Sequence, residues 1–265
     1  MSTALNSLFE RVRSEKRAAL IGYIPAGFPT IERCIEVARA MIDGGVDAIE
    51  VGYPYSDPVM DGPIIQAAAD LSLKNGTGAA DVFKTVKAIS SLAVPTVVMT
   101  YWNPIERYGV DAFADALVSA GGSGVITPDL TIEESSEWKS AVDKTGIHSI
   151  YVVAPSTKDA RLAAVTRECS GFIYAASLMG VTGTRNSVSS QARELVERIR
   201  KVSSTPVAVG LGVSTQEQAA QVAQYADGVI VGSAFIRLVQ EADTFEKGLA
   251  EVRKLASALA EGVRR

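Results

Sequence analysis

A chain of 265 residues, 47% of them hydrophobic, can bury a large core and fits either one α/β barrel or two ordinary domains. Its formal charge of −4 and pI near 5.2 argue against the broad electropositive surface that a nucleic-acid backbone requires. No apolar run approaches the roughly 18 residues that cross a bilayer, and Cys34, Cys169 and the single His148 offer neither a disulfide framework nor a metal spacing. No nucleic acid, membrane or metal is therefore expected, and chemistry falls to carboxylates, hydroxyls and backbone groups. The expected compartment is the cytoplasm.

In chain order, "MSTALNSLFERVRSEKR" reads as a polar amphipathic helix over residues 2–16 rather than a signal sequence. Short apolar runs rich in β-branched residues follow, with helical patterns between them: "AALIGYI", "DAIEV", "PTVVMTY", "SGVIT", "IHSIYVVA", "GFIYAAS", "PVAVGLG" and "DGVIVGS". Their near-continuous hydrophobicity suits strands covered on both faces, the pattern of a parallel sheet. "IERCIEVARAMIDGG" has periods of three and four and ends in glycines able to take the left-handed conformation. "TIEE" at Thr131–Glu134 and "STQE" at Ser214–Glu217 match a capping box in spacing, so helices are expected to start there. Eight β-then-α units in a chain this long favour a closed (β/α)8 TIM barrel with an extra N-terminal helix under its floor. With no linker or change of composition, residues 1–265 are expected to form a single domain.

The C-terminal strand ends form the active-site face of such a barrel. Alternation along the second run turns Ile49 and Val51 outward and Glu50 into the barrel mouth. A carboxylate there is costly unless partnered or functional, and burial would raise its pKa toward the range useful for proton transfer. The alternative is a buried Glu satisfied by a hydrogen bond. Asp57 precedes Pro58 and suits a turn, whereas Asp61 precedes Gly62 and Pro63, where an N-cap is the competing reading. At the other end, "VGLGVSTQEQ" and "VGSAFIR" place Gly210, Gly212, Gly232 and Ser233 at consecutive barrel corners, suited to hold a phosphate by backbone N–H groups at a helix start. The Gly- and Thr-rich "SLMGVTGTRNSV" could close over the same group through Gly183. None of the eight runs contains lysine, so a Schiff-base aldolase lacks its nucleophile. Carbon–carbon cleavage would need a substrate whose own ring accepts the electrons.

The stretches "GYIPAGFPT", "IEVGYPYSDPVMDGPIIQAA", "YWNPIERYG", "ITPDLTIEES", "YAASLMGVTGTR", "GLGVSTQEQ" and "VIVGSAF" resemble the α chain of tryptophan synthase across nearly the whole sequence. The resemblance implies the barrel and a retro-aldol cleavage of indole-3-glycerol phosphate into indole and glyceraldehyde 3-phosphate, with indole as the electron sink. It implies that Glu50 transfers the proton at indole C3 and that Asp61 faces the indole N–H. Tyr23, Met99, Ile126, Tyr174 and Leu211 match positions walling the indole, and Gly183, Gly212, Gly232 and Ser233 match phosphate positions. It also implies no cofactor in this chain, with pyridoxal phosphate in a partner β chain and an αββα assembly. The loops "YWNPIERYG" and 52–62 are the expected partner-facing surface. The chain departs from the family pattern at Pro25, Phe28 and Leu178, where threonine, aspartate and arginine are common, which bears on closure of the loop after the sixth run. The competing readings are a stand-alone indole-releasing lyase, another phosphate-binding barrel, and a partner-activating subunit with little catalysis of its own.

Overall fold

The computed structural model describes residues 4–176, 185–210 and 212–264, and for residues 185–189 the helical backbone only. Leu178, Gly183 and Leu211 lie outside the described residues. Eight parallel strands close into a barrel in simple order: β1 Ala19–Pro25, β2 Ala48–Gly52, β3 Thr96–Met99, β4 Gly124–Thr127, β5 His148–Val153, β6 Ile173–Ala176, β7 Val207–Gly210 and β8 Gly228–Val231, with β8 pairing back onto β1. Around them run α1 Ala4–Ser14, α2 Ile31–Asp43, α3 Pro63–Lys74, α4 Ala79–Ser90, α5 Trp102–Tyr108, α6 Val110–Ser119, α7 Ser136–Thr145, α8 Asp159–Glu168, α9 Arg185–Arg200, α10 Gln216–Ala223, α11 Ser233–Gln240 and α12 Phe245–Arg264.

Alternation along the strands sorts the core into two shells. Leu20, Ile49, Val51, Val98, Val125, Tyr151, Ile173, Val207 and Val229 face the helices, while Ala19, Ile21, Ala48, Val97, Ile126, Ile150, Ala208 and Ile230 fill the barrel. The N-terminal helix closes the bottom as expected: Leu5, Leu8, Phe9 and Val12 of α1 join the inner cluster, and Phe9 packs on Phe172 with ring centroids 5.8 Å apart. Each such side chain contributes about 1.5–3 kcal/mol by leaving water. Beside this plug, Arg17 makes a two-pronged contact to Asp47 (2.7 and 2.8 Å), whose Oδ2 also accepts the Leu20 N–H at 2.9 Å.

Helix starts follow local chemistry, but not always where spacing alone puts them. Thr30 caps α2 by accepting the Arg33 N–H, and Gly45, at φ +105°, carries the chain out of that helix. At "TIEE" the Thr131 hydroxyl does reach Glu134 (2.9 Å), yet the segment forms a turn and α7 starts only at Ser136. At "STQE" the cap is Thr215, one residue later, accepting the Gln218 N–H, while Ser214 binds the Gln218 side chain. In both places a competing side-chain bond satisfied the hydroxyl or moved the helix start, a choice the box spacing cannot register.

Candidate active site

Glu50 projects from the middle of β2 into the barrel, level with Tyr23 of β1. It is 1% exposed, and its Oε2 has no hydrogen-bond partner among the described residues. Burial first, and the negative charge of Asp61 second, push its pKa up to about 8. The hydrogen-bonded alternative for this carboxylate is thus not realised among the described residues.

Asp61 stands at the end of the loop after β2. Its N-cap alternative is not realised either: the N-cap of α3 is Gly62, Pro63 opens the helix, and no side-chain cap bond is made. The Asp61 backbone carbonyl accepts the Gln66 amide at 2.8 Å, and burial pushes the carboxyl up to about 6. Asp57 is exposed and takes a 2.6 Å bond from the Ser56 hydroxyl, as a turn residue does.

One cavity of about 150 Å³ collects the site. Glu50, Asp61, Tyr23, Met99 and Tyr174 line it together with Gly212, Gly232 and Ser233, so the carboxylates and the glycine corners open into one space. The two tyrosines sit tightly over glycines. A Cβ at Gly52 would stand 2.3 Å from the Tyr23 hydroxyl, one at Gly232 would stand 3.0 Å from the Tyr23 ring, and one at Gly210 would stand 2.6 Å from the Tyr174 hydroxyl. Burial and the nearby carboxylates raise both phenol pKa values, keeping them neutral. Gly212 takes a positive φ of 69°, where a side chain would strain the turn. Gly232 is the N-cap of α11 with no side-chain cap, and it and Ser233 line the cavity, so the start of that helix borders the space beside the carboxylates.

Ile126 is fully buried in the inner cluster against which Met99, Val152 and Tyr174 pack, and it is not among the lining residues. Met60, Ile65, Val152 and Ile230 do line the cavity, although the sequence reading did not single them out. Strand alternation could have found Val152, two residues after the inward Ile150, and Ile230 by the same rule. Nothing local marks Met60 or Ile65. Of the departures, Pro25 ends β1 and Phe28 is buried beside it.

A family model described as "Tryptophan synthase alpha chain" matches residues 9–264. The chain belongs to that family. A tryptophan synthase alpha chain from Acidothermus cellulolyticus is 55% identical over 263 residues, covering 99% of this chain and 98% of the relative, and one from Streptomyces coelicolor is 56% identical over 261 residues, covering 98% and 96%. Among solved structures, a tryptophan synthase of Mycobacterium tuberculosis superimposes with a TM-score of 0.92 at 49% identity, covering all of both chains.

The second loop of that face is held from outside. The Tyr101 hydroxyl oxygen accepts the N–H groups of Val59 (3.0 Å) and Met60 (3.1 Å), and its ring lies 5.0 Å from that of Tyr55. Asp129, beyond β4, takes the Trp102 N–H on both carboxylate oxygens at 3.0 Å, capping α5. Three consecutive strand-end loops are thereby tied together beside Asp61. No helix among the described residues is long and apolar enough to cross a membrane.

Proposed function

We propose that this alpha chain cleaves indole-3-glycerol phosphate through Glu50 and Asp61. The observation that carries the reading is that a buried carboxyl with a pKa of about 8, its Oε2 without a hydrogen-bond partner among the described residues, shares one cavity with a second raised carboxyl and a helix N-terminus. Glu50, largely protonated at neutral pH, delivers its proton to indole C3. The ring nitrogen becomes cationic as that bond forms, and the fixed anion of Asp61 beside the N–H stabilises this charge more than the neutral ground state. Loss of the proton from the glycerol hydroxyl next to the ring, assisted by the now ionised Glu50, forms the aldehyde. The carbon–carbon bond breaks and returns its electrons to the ring, releasing indole and glyceraldehyde 3-phosphate. Tyr23, Met99 and Tyr174 wall the indole. Gly212, Gly232 and Ser233 hold the phosphate with backbone N–H groups, a role also proposed for Gly183, with Leu211 completing the apolar wall and Ile126 supporting it from beneath.

The chain needs no cofactor of its own for this chemistry, and pyridoxal phosphate belongs to a β chain. We propose that the chain works with such a β chain in an αββα tetramer in the cytoplasm, and that residues 1–265 fold as one domain. In support, solved relatives include the M. tuberculosis tryptophan synthase in an aminoacrylate-bound form, 46% identical with a TM-score of 0.90. The test is indole release from indole-3-glycerol phosphate by the purified chain, with and without a tryptophan synthase β chain. Slow release that rises sharply with the partner is expected. Fast release that the partner leaves unchanged would favour a stand-alone lyase, and none in either condition would overturn the reading.

A further inference from the structure

The Asp61 carboxylate makes no hydrogen bond to any described residue, so among these residues its place in the cavity is set through its backbone. That backbone has few anchors. Between Tyr53, whose N–H is held by the Met99 carbonyl at 2.8 Å, and Gln66, which holds the Asp61 carbonyl, the backbone anchors from outside the loop among the described residues are the two N–H groups received by Tyr101; a side-chain bond from the Asn103 amide to the Tyr55 hydroxyl (3.4 Å) lies farther from Asp61 in the chain. One of those donors, Met60, immediately precedes Asp61. Tyr101 is itself well fixed: it is 5% exposed, its carbonyl accepts the Thr100 hydroxyl at 3.1 Å, and the next peptide N–H is clamped by Asp129.

We propose that Tyr101 is a positioning residue: its phenol oxygen holds the Val59–Met60 backbone and thereby sets where the Asp61 carboxylate stands in the cavity. The hydroxyl is the part that matters, because the ring alone offers no acceptor to two N–H groups. Without it the loop exchanges those bonds for water and Asp61 samples positions away from the indole N–H. The rate consequence rests on the function proposed above, whereas the positional one does not.

Tyr101→Phe keeps the ring, its burial and its stacking on Tyr55 while deleting the acceptor. The first readout, independent of turnover, is the titration of the Asp61 carboxyl by 13C NMR, assigned by comparison with Asp61→Asn. The wild-type group is held up by burial, so a loosened loop that readmits water should bring its pKa down toward the ordinary 3.8. The second readout is kcat/KM for indole release, expected to fall about tenfold, within the net worth of the two hydrogen bonds deleted, with the acidic limb of its pH profile moving to lower pH. In an Asp61→Asn background Tyr101→Phe should have no further effect. Val59→Pro removes one donor from the loop side at a residue whose side chain is 76% exposed, and it should move Asp61 in the same direction should Tyr101→Phe fail to fold. An unmoved Asp61 titration in either folded variant, or an equal loss in the Asp61→Asn background, would overturn the proposal. A shifted titration in a chain that releases no indole under any condition would keep the latch and defeat the functional reading instead.

Discussion

Glu50→Gln separates what the buried carboxyl does for chemistry from what it does to stability. The carboxyl is 1% exposed, lacks a partner for Oε2 among the described residues, and has its pKa at about 8 in place of 4.5. A folded-state pKa above the unfolded value means that the protonated form is favoured by the fold. The stability from this group is complete below about pH 4.5 and is lost as pH rises through 8. Within that window each pH unit changes the balance by about 1.4 kcal/mol, so between about pH 5 and pH 8 the wild type should lose on the order of 3 kcal/mol relative to Glu50→Gln. Glutamine brings an amide that also lacks partners, but that penalty is constant with pH and displaces the curve without tilting it. Asp61 titrates in both proteins and cancels to first order. The assay is denaturant unfolding of both proteins at about pH 5, 6, 7 and 8, with indole release measured on the same samples. The expected result is a variant that gains relative stability as pH rises and releases no indole. Parallel stability curves would refute the account of Glu50 as a buried acid held protonated by the fold, and retained turnover would remove it from the chemistry.

Asp61→Asn keeps shape but loses the fixed charge, and kcat/KM for indole release should fall by about 100- to 1000-fold, the range for one preorganised electrostatic group; an unchanged rate would leave Asp61 a loop residue. Gly210→Ala places a methyl where the Tyr174 hydroxyl stands, 2.6 Å away, so the ring should be driven into the cavity and KM should rise in steady-state kinetics with the fold intact in circular dichroism. Wild-type KM in that variant would show that the ring has room to yield. Asp47→Asn removes the charge against which Arg17, like Asp47 8% exposed, makes its two-pronged contact at the bottom of the barrel but leaves Arg17 its ion pair with Glu15, so unfolding free energy should drop by about 1–3 kcal/mol in denaturant titrations while kcat at 25 °C holds. A loss of kcat without a loss of stability would contradict the separation of the barrel floor from the chemistry.

Much of the molecule was legible locally. The eight β-branched runs became the eight strands because buried parallel strands need apolar residues on both faces, and the sidedness of Glu50 followed from the two-residue period of a strand once Ile49 and Val51 were assigned to the helix side. The start of α11 at Ser233 was readable from the glycine before it. Periodicity and turn chemistry are properties of neighbouring residues, so a linear reading can find them.

Tertiary structure alone decided the rest. That Glu50 and Asp61 share a single cavity depends on a loop folding back over the barrel mouth, and no spacing encodes that. Ile126 and Met99 look alike as inward strand residues, yet closure of the barrel puts one beneath the cavity and the other on its wall. Thr131 and Glu134 formed their side-chain bond without starting a helix, because the competing bonds around a box decide whether it nucleates. Tyr101 had no signal at all, since its hydroxyl finds Val59 and Met60 across more than forty residues of chain. The sequence by itself determined which segments would be strands and helices and which way Glu50 points, since these rest on interactions between near neighbours. The folded barrel decided which side chains share a cavity and what holds them there, since those contacts exist only after distant strand ends have been brought together.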